Sequence, residues 1–291
     1  MIEDLGSASL GEFCLRDFPL KERTAFGAGG RAKYAFFPEN AASFAACIAA
    51  AKREGEPLAV LGCASNVLVS DRGFDGVAVF TAKMNAISCG GGAVYAECGV
   101  SAARLLEFCR LHDLGGAEFL SGIPASVGGM AAMNAGAFGR EISSVLRAVY
   151  AVDGGVKKLP AEECGFSYRC SVFGSALPVF AAEFFLRKGF DGRLAERIRA
   201  MRRERQPEGR TFGSTFKNGK DYFAGELIER AGLKNCAVGG AAVSGVHANF
   251  IVNRGNATAA DARELIEYIK KKVKARFGVT LCEEVRYLGE F

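Results

Sequence analysis

Five short segments carry side chains whose types and spacing could do chemistry. In LGCASN (61–66) an apolar run ends at Gly62 and gives way to Cys63 and Ala64, then Ser65 and Asn66. Small residues let successive backbone N–H groups converge on an anion, and the two polar side chains add donors. The alternative is an ordinary turn between strands. SGIPASVGGMAAMNAG (121–136) is dense in glycine and alanine. Glycine gives up conformational entropy on folding, so such a run makes sense where backbone lies against a flat ligand or a phosphate chain. The alternative is a tightly packed Gly/Ala helix. GFSYRCSVF (165–173) sets Tyr168 and Arg169 before a serine. An arginine can hold a carboxylate in a bidentate fork, or it can be one more surface cation. FGSTFKN (212–218) places Ser214, Lys217 and Asn218 after a glycine, a loop suited to a proton donor and phosphate contacts, or simply a turn. CEEVR (282–286) ends the chain on two acids. On a strand, Glu283 and Glu284 face opposite ways, so one could enter a cleft while the other is solvated.

Other candidates carry less. GAGGRA (27–32) fits G-x-G-x-x-[GA], but a dinucleotide fingerprint must follow an apolar strand and open a helix. Here KERTAF precedes it and a strand-like KYAFF follows, so a Rossmann reading is rejected. His247 in VSGVHANFIVN precedes a strand and reads as structural or surface; His112 ends a helix and suits its C-terminal dipole. The ten cysteines include no C-x-x-C pair and the two histidines stand far apart, so no metal site is expected. Most of these thiols sit where a small apolar residue would serve and read as inert and reduced.

Elements must position these segments. The chain has 291 residues, 49% of them apolar, which suggests two or three domains with a core that needs no disulfide. Its net charge of +5 is mild and scattered, so nucleic acid is not an expected partner. The N-terminus MIEDLGSASLGEF lacks a basic region followed by an apolar run, and no stretch reaches membrane-spanning length. No membrane insertion and a cytoplasmic location are expected. Residues 1–26 read as a lead-in. RAKYAFF is strand-like and ends at Pro38; Asn40 caps an alanine-rich helix that Gly55 can stop. Strands follow at 58–61, in VLVSD and in GVAVF. AVYAECG (93–99) alternates like a strand, and Ser101 caps the next helix. Residues 115–140 are neither linker nor plain helix. A hairpin turns at Asp153-Gly154-Gly155, and PVFAAEFFLRKG is another strand. A charged helix over 191–207 breaks at Pro207, with a boundary near 190. The remainder holds the helix YFAGELIERAG, the strand ANFIVN, a long helix opened by Thr258 and Asp261 as a capping box, and a final strand TLCEEVRYLG.

Taken in order, these segments resemble one family. TAFGAGGRAKY, LGCASNVLVSDRGFDGVAV, EFLSGIPASVGGMAAMNAGAFGREI, GFSYRCSVF, RRERQPEGRTFGSTFKN, AGELIERAGL, GGAAVSGVHANFIVN and LCEEVRYLG are similar to the signposts of the UDP-N-acetylenolpyruvoylglucosamine reductases, the MurB flavoenzymes of bacterial peptidoglycan synthesis. The similarity runs over roughly residues 23–289. It implies an α+β fold: a two-part FAD-binding region of the vanillyl-alcohol-oxidase (PCMH) type, with parts at 1–83 and 84–190, then an α+β substrate-binding domain at 191–291. It implies FAD and NADPH as cofactors. The diphosphate would be held around Gly62, Cys63, Ala64, Ser65 and Asn66, and by the loop that contains Ser121, Gly122, Ile123, Pro124, Gly128, Gly129, Asn134, Ala135 and Gly136. NADPH reduces the flavin and leaves. UDP-N-acetylglucosamine enolpyruvate, the small-molecule partner, then enters, and flavin N5 delivers hydride to the terminal enolpyruvyl carbon.

Electron density then builds on the substrate carboxylate, which calls for donors aimed there. Arg169 matches the family's arginine for that role. Glu284 matches its acid and would act as a neutral acid or order a water, since a bare carboxylate repels an enolate. Ser214 matches the proton donor. Tyr168, Lys217, Asn218, His247 and Asn249 match substrate-binding positions. A monomer is expected. Three departures stand out: Cys63 and Ala64 in the phosphate loop, Arg31 where proline is common, and Cys282 in place of an acid. Only 45 positions separate Arg169 from Ser214, too few for the inserted tyrosine-bearing subdomain of the family's long form. Two other functions remain open: an oxidase on the same flavin fold, which would need no proton donor at Ser214, and a non-catalytic flavin-binding module, which loss of Arg169, Ser214 or Glu284 would favour.

Overall fold

Alternating burial in Ala93–Glu97 and long buried runs in Leu146–Val152 and Val179–Phe184 are the signatures of sheet strands with one and two covered faces. The computed structural model, which describes residues 8–291, assembles these into an antiparallel sheet. Its order is Val156–Pro160, Leu146–Val152, Val179–Phe184, Ala93–Glu97, Ile87–Gly90. The expected hairpin forms: Val152 pairs with Val156, and Gly154 takes a φ of 66° in the turn. A second sheet has the order Leu15–Pro19, Arg31–Phe36, Phe74–Phe80, Leu58–Leu61. Its last pair is parallel, with Leu58 opposite Val77. The helix Ala41–Glu54 precedes that last strand, capped by Asn40, whose side chain accepts from Ser43 N, and closed by Gly55 at φ 68°.

By its contacts the chain forms two units. The first holds the described residues up to Asp17, Lys33–Cys63 and Asp75–Met201; the second holds Phe18–Ala32, Ala64–Phe74 and Arg202–Phe291. The core of the first unit includes Phe44, Met84, Leu105, Leu120, Met130 and Phe184, all essentially solvent-free. Cys14, Cys47, Cys98, Cys109 and Cys164 are buried in it as small apolar residues. Cys63, Cys89, Cys170 and Cys282 are exposed, so the reading of inert thiols fits about half of the ten.

The second unit is built on the antiparallel order Thr211–Ser214, Phe250–Asn253, Ala241–Val243, Ala237–Val238. The helix Ala259–Phe277 buries Ala262, Leu265, Ile266, Ile269 and Val273 at helical spacing, against a core with Phe26, Leu68, Phe212, Phe216 and Ile251. Thr258 and Asp261 form the capping box read from sequence. A second device opens this helix: both carboxylate oxygens of Asp71 accept from the N–H groups of Ala259 and Ala260, at 2.9 and 2.8 Å. The strand Arg286–Leu288 pairs in parallel with Val67–Val69.

Two expectations need correction, that of the lead-in and that of the terminal strand, while the reading of residues 115–140 as neither linker nor plain helix holds. The lead-in is structured from Leu10, with the helix Leu10–Phe13 and the strand Leu15–Pro19; the absence of a leader concerns residues 1–7, outside the described residues. Residues 115–140 contain the short helix Val127–Ala132 and a hairpin pairing Gly136–Ala137 with Arg140–Glu141. The terminal strand shrinks to Arg286–Leu288, because the chain ahead of it bonds to a different neighbour: Lys217 N donates to Cys282 O and Glu284 N to Thr215 O. Gly27–Ala32 runs into the strand Arg31–Phe36, as its rejection as a dinucleotide fingerprint required.

Replacing Asp71 with alanine leaves two first-turn N–H groups of the long helix without their carboxylate. The expected loss is about 1–2 kcal/mol, a fall in melting temperature of about 2–8 °C. Circular dichroism melts check it; an unchanged midpoint would show that the capping box alone suffices.

Candidate active site

The phosphate loop begins where the strand Leu58–Leu61 ends. Gly62 has no Cβ, and one built there would overlap Ser126 Oγ. That close approach joins two segments singled out separately in the sequence, 62–66 and 121–136. Ala64 adopts φ 45°, a left-handed conformation that is uncommon outside glycine, asparagine and aspartate. The N–H groups of Cys63, Ala64, Ser65 and Asn66 donate to no other group of the described protein. Successive unpaired N–H groups around a left-handed residue form an anion-binding nest.

The second segment is held firmly from behind. Ile123 N donates to Leu120 O across a turn with Gly122 at φ 76°, followed by Pro124. Val127 N donates to Val100 O and Gly128 N to Cys98 O. A Cβ on Gly128 would stand 2.9 Å from Cys98 Cβ, whereas one on Gly129 would meet only Ser126 Oγ at 3.5 Å. One face of this backbone is therefore packed and the other is open. Ser121 is fully buried, and its Oγ has no partner among the described residues.

Asn134 takes a different part from a ligand contact. It is fully buried at φ 41°. Its Nδ2 donates to Glu141 Oε2 at 2.8 Å and to Ser167 O at 3.0 Å, and its Oδ1 accepts from Ser143 N. The amide thus fastens the hairpin that follows Ala135 and Gly136 to the turn carrying Arg169. Ser167 and Cys170 exchange two backbone hydrogen bonds, which leaves Tyr168 and Arg169 at the tip. Arg169 sits at φ 54°. Its Nη2 donates to Gly136 O at 3.1 Å, and the guanidinium lies 5.1 Å from the centroid of the exposed Tyr168 ring. Ser171 Oγ adds a bond to Ala132 O.

In the second unit, Ser214 ends its strand opposite Phe250, after Gly213 at φ 79°. The loop beyond it is clasped by the buried Asn249, whose Oδ1 accepts from Phe216 N and whose Nδ2 donates to Phe216 O at 2.8 Å. Thr215 O then accepts from Glu284 N at 2.8 Å, and Asn66 Nδ2 donates to Glu284 O at 3.1 Å. Ser214, Glu284 and Asn66, far apart in sequence, lie on bonded segments. The two acids separate as well. Glu283 meets Lys270 at 2.8 Å and Arg263 at 3.4 Å. Burial pushes its carboxyl up, but hydrogen bonds from Lys270 and Tyr287 and the two cations outweigh this and hold it below the usual carboxylate range. Asn218 Oδ1 accepts from Ala224 N and so caps the helix Ala224–Arg230. Lys217 is anchored through its N–H on Cys282 O. His247 is half-buried with its ring edge on Phe250; its Nδ1 accepts from Asn249 N, and burial, then the Lys234 charge, hold its pKa below the ordinary imidazole value.

Sequence reasoning missed Ser126, Glu141 and Thr215. Ser126 had a signal, since a serine ahead of Val-Gly-Gly is a helix N-cap, and its Oγ accepts from Gly129 N. Glu141 and Thr215 had none, because their partners are set by chain crossings. Among the described residues no group of three or more His, Cys, Asp or Glu side chains could hold a metal ion.

Residues 32–155 match the family model of an FAD binding domain, and residues 206–288 match that of the UDP-N-acetylenolpyruvoylglucosamine reductase C-terminal domain. The UDP-N-acetylenolpyruvoylglucosamine reductase of Caldicellulosiruptor saccharolyticus is 40% identical over 95% of this chain and 92% of its own. That of Clostridium novyi is 41% identical over 93% and 91%. The crystal structure of UDP-N-acetylenolpyruvylglucosamine reductase (MurB) from Thermus caldophilus matches with a TM-score of 0.83 at 30% identity, covering 95% of this chain and all of that one. The α+β fold thus carries an FAD-binding domain, and the N–H groups of 63–66, which have no acceptor among the described residues, fit an anion such as a flavin diphosphate.

Gly62→Ala should force the loop off Ser126 and weaken FAD retention by about 10-fold or more, measured by flavin titration of the stripped protein. Adding Ser126→Gly should restore most of it. Unaltered FAD binding by Gly62→Ala would detach this loop from the cofactor.

Proposed function

This chain belongs to the UDP-N-acetylenolpyruvoylglucosamine reductase family, and from that premise we propose that it reduces UDP-N-acetylglucosamine enolpyruvate to UDP-N-acetylmuramate for peptidoglycan precursor synthesis. The observation that supports the reading is the bonded pair of segments Ser214–Phe216 and Cys282–Val285, in which Glu284 N donates to the carbonyl of Thr215, the residue after Ser214, inside the span matched to the reductase C-terminal domain. An oxidase of the same flavin fold has no use for a proton donor held in this way.

The chemistry that FAD supplies when bound is hydride transfer, taken from NADPH and passed to the terminal carbon of the enolpyruvyl group. The chain's own residues do the rest. The backbone N–H groups of 63–66 hold the diphosphate, and the loop 121–136, most of whose own N–H groups are bonded within the protein, offers the Ser121 hydroxyl. Arg169 takes the substrate carboxylate, where negative charge accumulates as the terminal carbon is reduced. Its strained turn and its bond to Gly136 O limit the ways it can point, so little reorganisation is left for the reaction.

Ser214 delivers the proton to the carbon next to the carboxylate. A serine hydroxyl is a weak acid and needs a partner that replaces its proton. Glu284, whose backbone N–H donates to Thr215 O, takes that part on this reading, as a neutral acid or through an ordered water. Lys217 and Asn218 serve the nucleotide end, with Tyr168 and His247 supporting the substrate and Asn249 bracing the loop at Phe216. On this reading 1–83 and 84–190 are the two flavin-binding parts and 191–291 is the substrate domain. Among the described residues no helix is long and apolar enough to cross a membrane; we propose a monomer acting in the cytoplasm.

Ser214→Ala should bind FAD normally and be reduced by NADPH at the parent rate, while reoxidation of the reduced enzyme by UDP-N-acetylglucosamine enolpyruvate slows by about 10²–10⁴-fold. Stopped-flow absorbance at the flavin band follows both half-reactions. Equal slowing of the two would make Ser214 a structural residue and leave the proton donor to be found elsewhere.

A further inference from the structure

The hairpin after Asn134 has a turn that its sequence does not favour. Gly136–Ala137 pairs with Arg140–Glu141, and the two central residues, Phe138 and Gly139, have φ values of 54° and 75°. Two positive φ values make a type I′ turn, for which Asn-Gly is the preferred pair. A phenylalanine in the left-handed region is a clear outlier. Burial does not compensate: Phe138 is 49% exposed. The strain persists because the surroundings over-determine it. Glu141 Oε2 is held by Asn134, Ser144 Oγ donates to Glu141 O, the Arg140 guanidinium stands 5.0 Å from the centroid of Phe119, and Gly136 O is held by Arg169. Strain that is maintained at the cost of stability points to a use for the side chain.

The placement says which use. Phe138 is two residues from the carbonyl that receives Arg169 Nη2. We propose that Phe138 is a substrate-contacting specificity residue of the reductase, its ring lying on the enolpyruvyl group whose carboxylate Arg169 holds and keeping water from it. This rests on the reading of Arg169 as the carboxylate anchor.

The strain makes the test sharp. Phe138→Asn creates the preferred Asn-Gly turn, so the melting temperature should rise. Loss of the ring contact should raise the KM for UDP-N-acetylglucosamine enolpyruvate by about 10- to 100-fold, with kcat at saturation changed far less. Phe138→Tyr should keep both near the parent values. Arg169→Lys, assayed in parallel, tests the anchor itself and should also raise that KM. If Phe138→Asn leaves KM within about twofold while Arg169→Lys raises it, the proposal fails and the anchor stands. If neither moves it, the anchor reading fails, and the proposal falls with it. A lower melting temperature with kcat and KM both impaired would make Phe138 a packing residue and equally overturn the proposal.

Discussion

The geometry of the second unit depends on the embrace between one carboxamide and one peptide. Asn249 is buried, and its Oδ1 and Nδ2 engage both polar groups of Phe216. A buried peptide with neither group satisfied would cost several kcal/mol, and no strand ladder is available here to satisfy it. With Phe216 fixed, Thr215 O is presented to Glu284 N and Lys217 N to Cys282 O. The C-terminal segment then has one register, and Glu283 and Glu284 take separate surroundings. Glu283 closes an ion-pair cluster with Lys270 and Arg263 on the long helix. Because its carboxyl is held below its ordinary range, that cluster contributes to stability above the usual carboxylate pKa and loses the contribution as the pH falls through the folded-state value.

The first unit uses the same device. Asn134 is also buried and also spends its carboxamide on the protein, joining Glu141, Ser143 and the carbonyl of Ser167. Asparagine suits both places for one reason. It offers a donor pair and an acceptor on a short stem without a charge to desolvate, so it can replace a missing stretch of ladder inside a loop. Residues that would be taken for ligand contacts by their place in a motif are in these two cases the braces behind the contacts.

How far the sequence reveals this depends on the range of the interaction. Asn40, Ser101 and Thr258 cap their helices as read, because a cap is decided within three or four residues. The Asp153-Gly154-Gly155 hairpin is equally local. Asp71 is not legible as the acceptor for Ala259 and Ala260, 188 and 189 positions away. Glu118 is buried and accepts from Gly116 N and from Asp191 N, the latter 73 positions away, so its burial is not legible either. The candidate site divides along the same line. Motif order makes Arg169, Ser214 and Glu284 the candidates, but the backbone bond that ties Ser214's loop to Glu284 is a chain crossing that no spacing encodes. The shortening of the final strand is the same effect, since Cys282–Val285 is drawn to Thr215–Lys217 before Arg286 reaches Val67.

Backbone strain explains why the loops carry this arrangement so stiffly. Of the seven non-glycine residues at positive φ among the described residues, four are Ala64, Asn134, Phe138 and Arg169, all in segments that the motifs single out. Each such conformation costs about 1–2 kcal/mol in isolation. It survives only where several bonds agree on it: Ala64 O accepts from Ala25 N, Asn134 makes three side-chain bonds, and the Arg169 turn is closed by Ser167 and Cys170 and tied to Gly136. Relaxing any one of these turns would give up several hydrogen bonds to recover one small strain. The loops therefore keep their shape before a ligand arrives, and the ordering cost of binding falls on folding instead. For the reaction proposed above, which places negative charge on a carboxylate and then needs one proton at one carbon, donors fixed in advance are worth more than donors that must be gathered. The strained positions are thus the part of the fold in which stability has been exchanged for the placement of Arg169 and of the backbone around the cofactor.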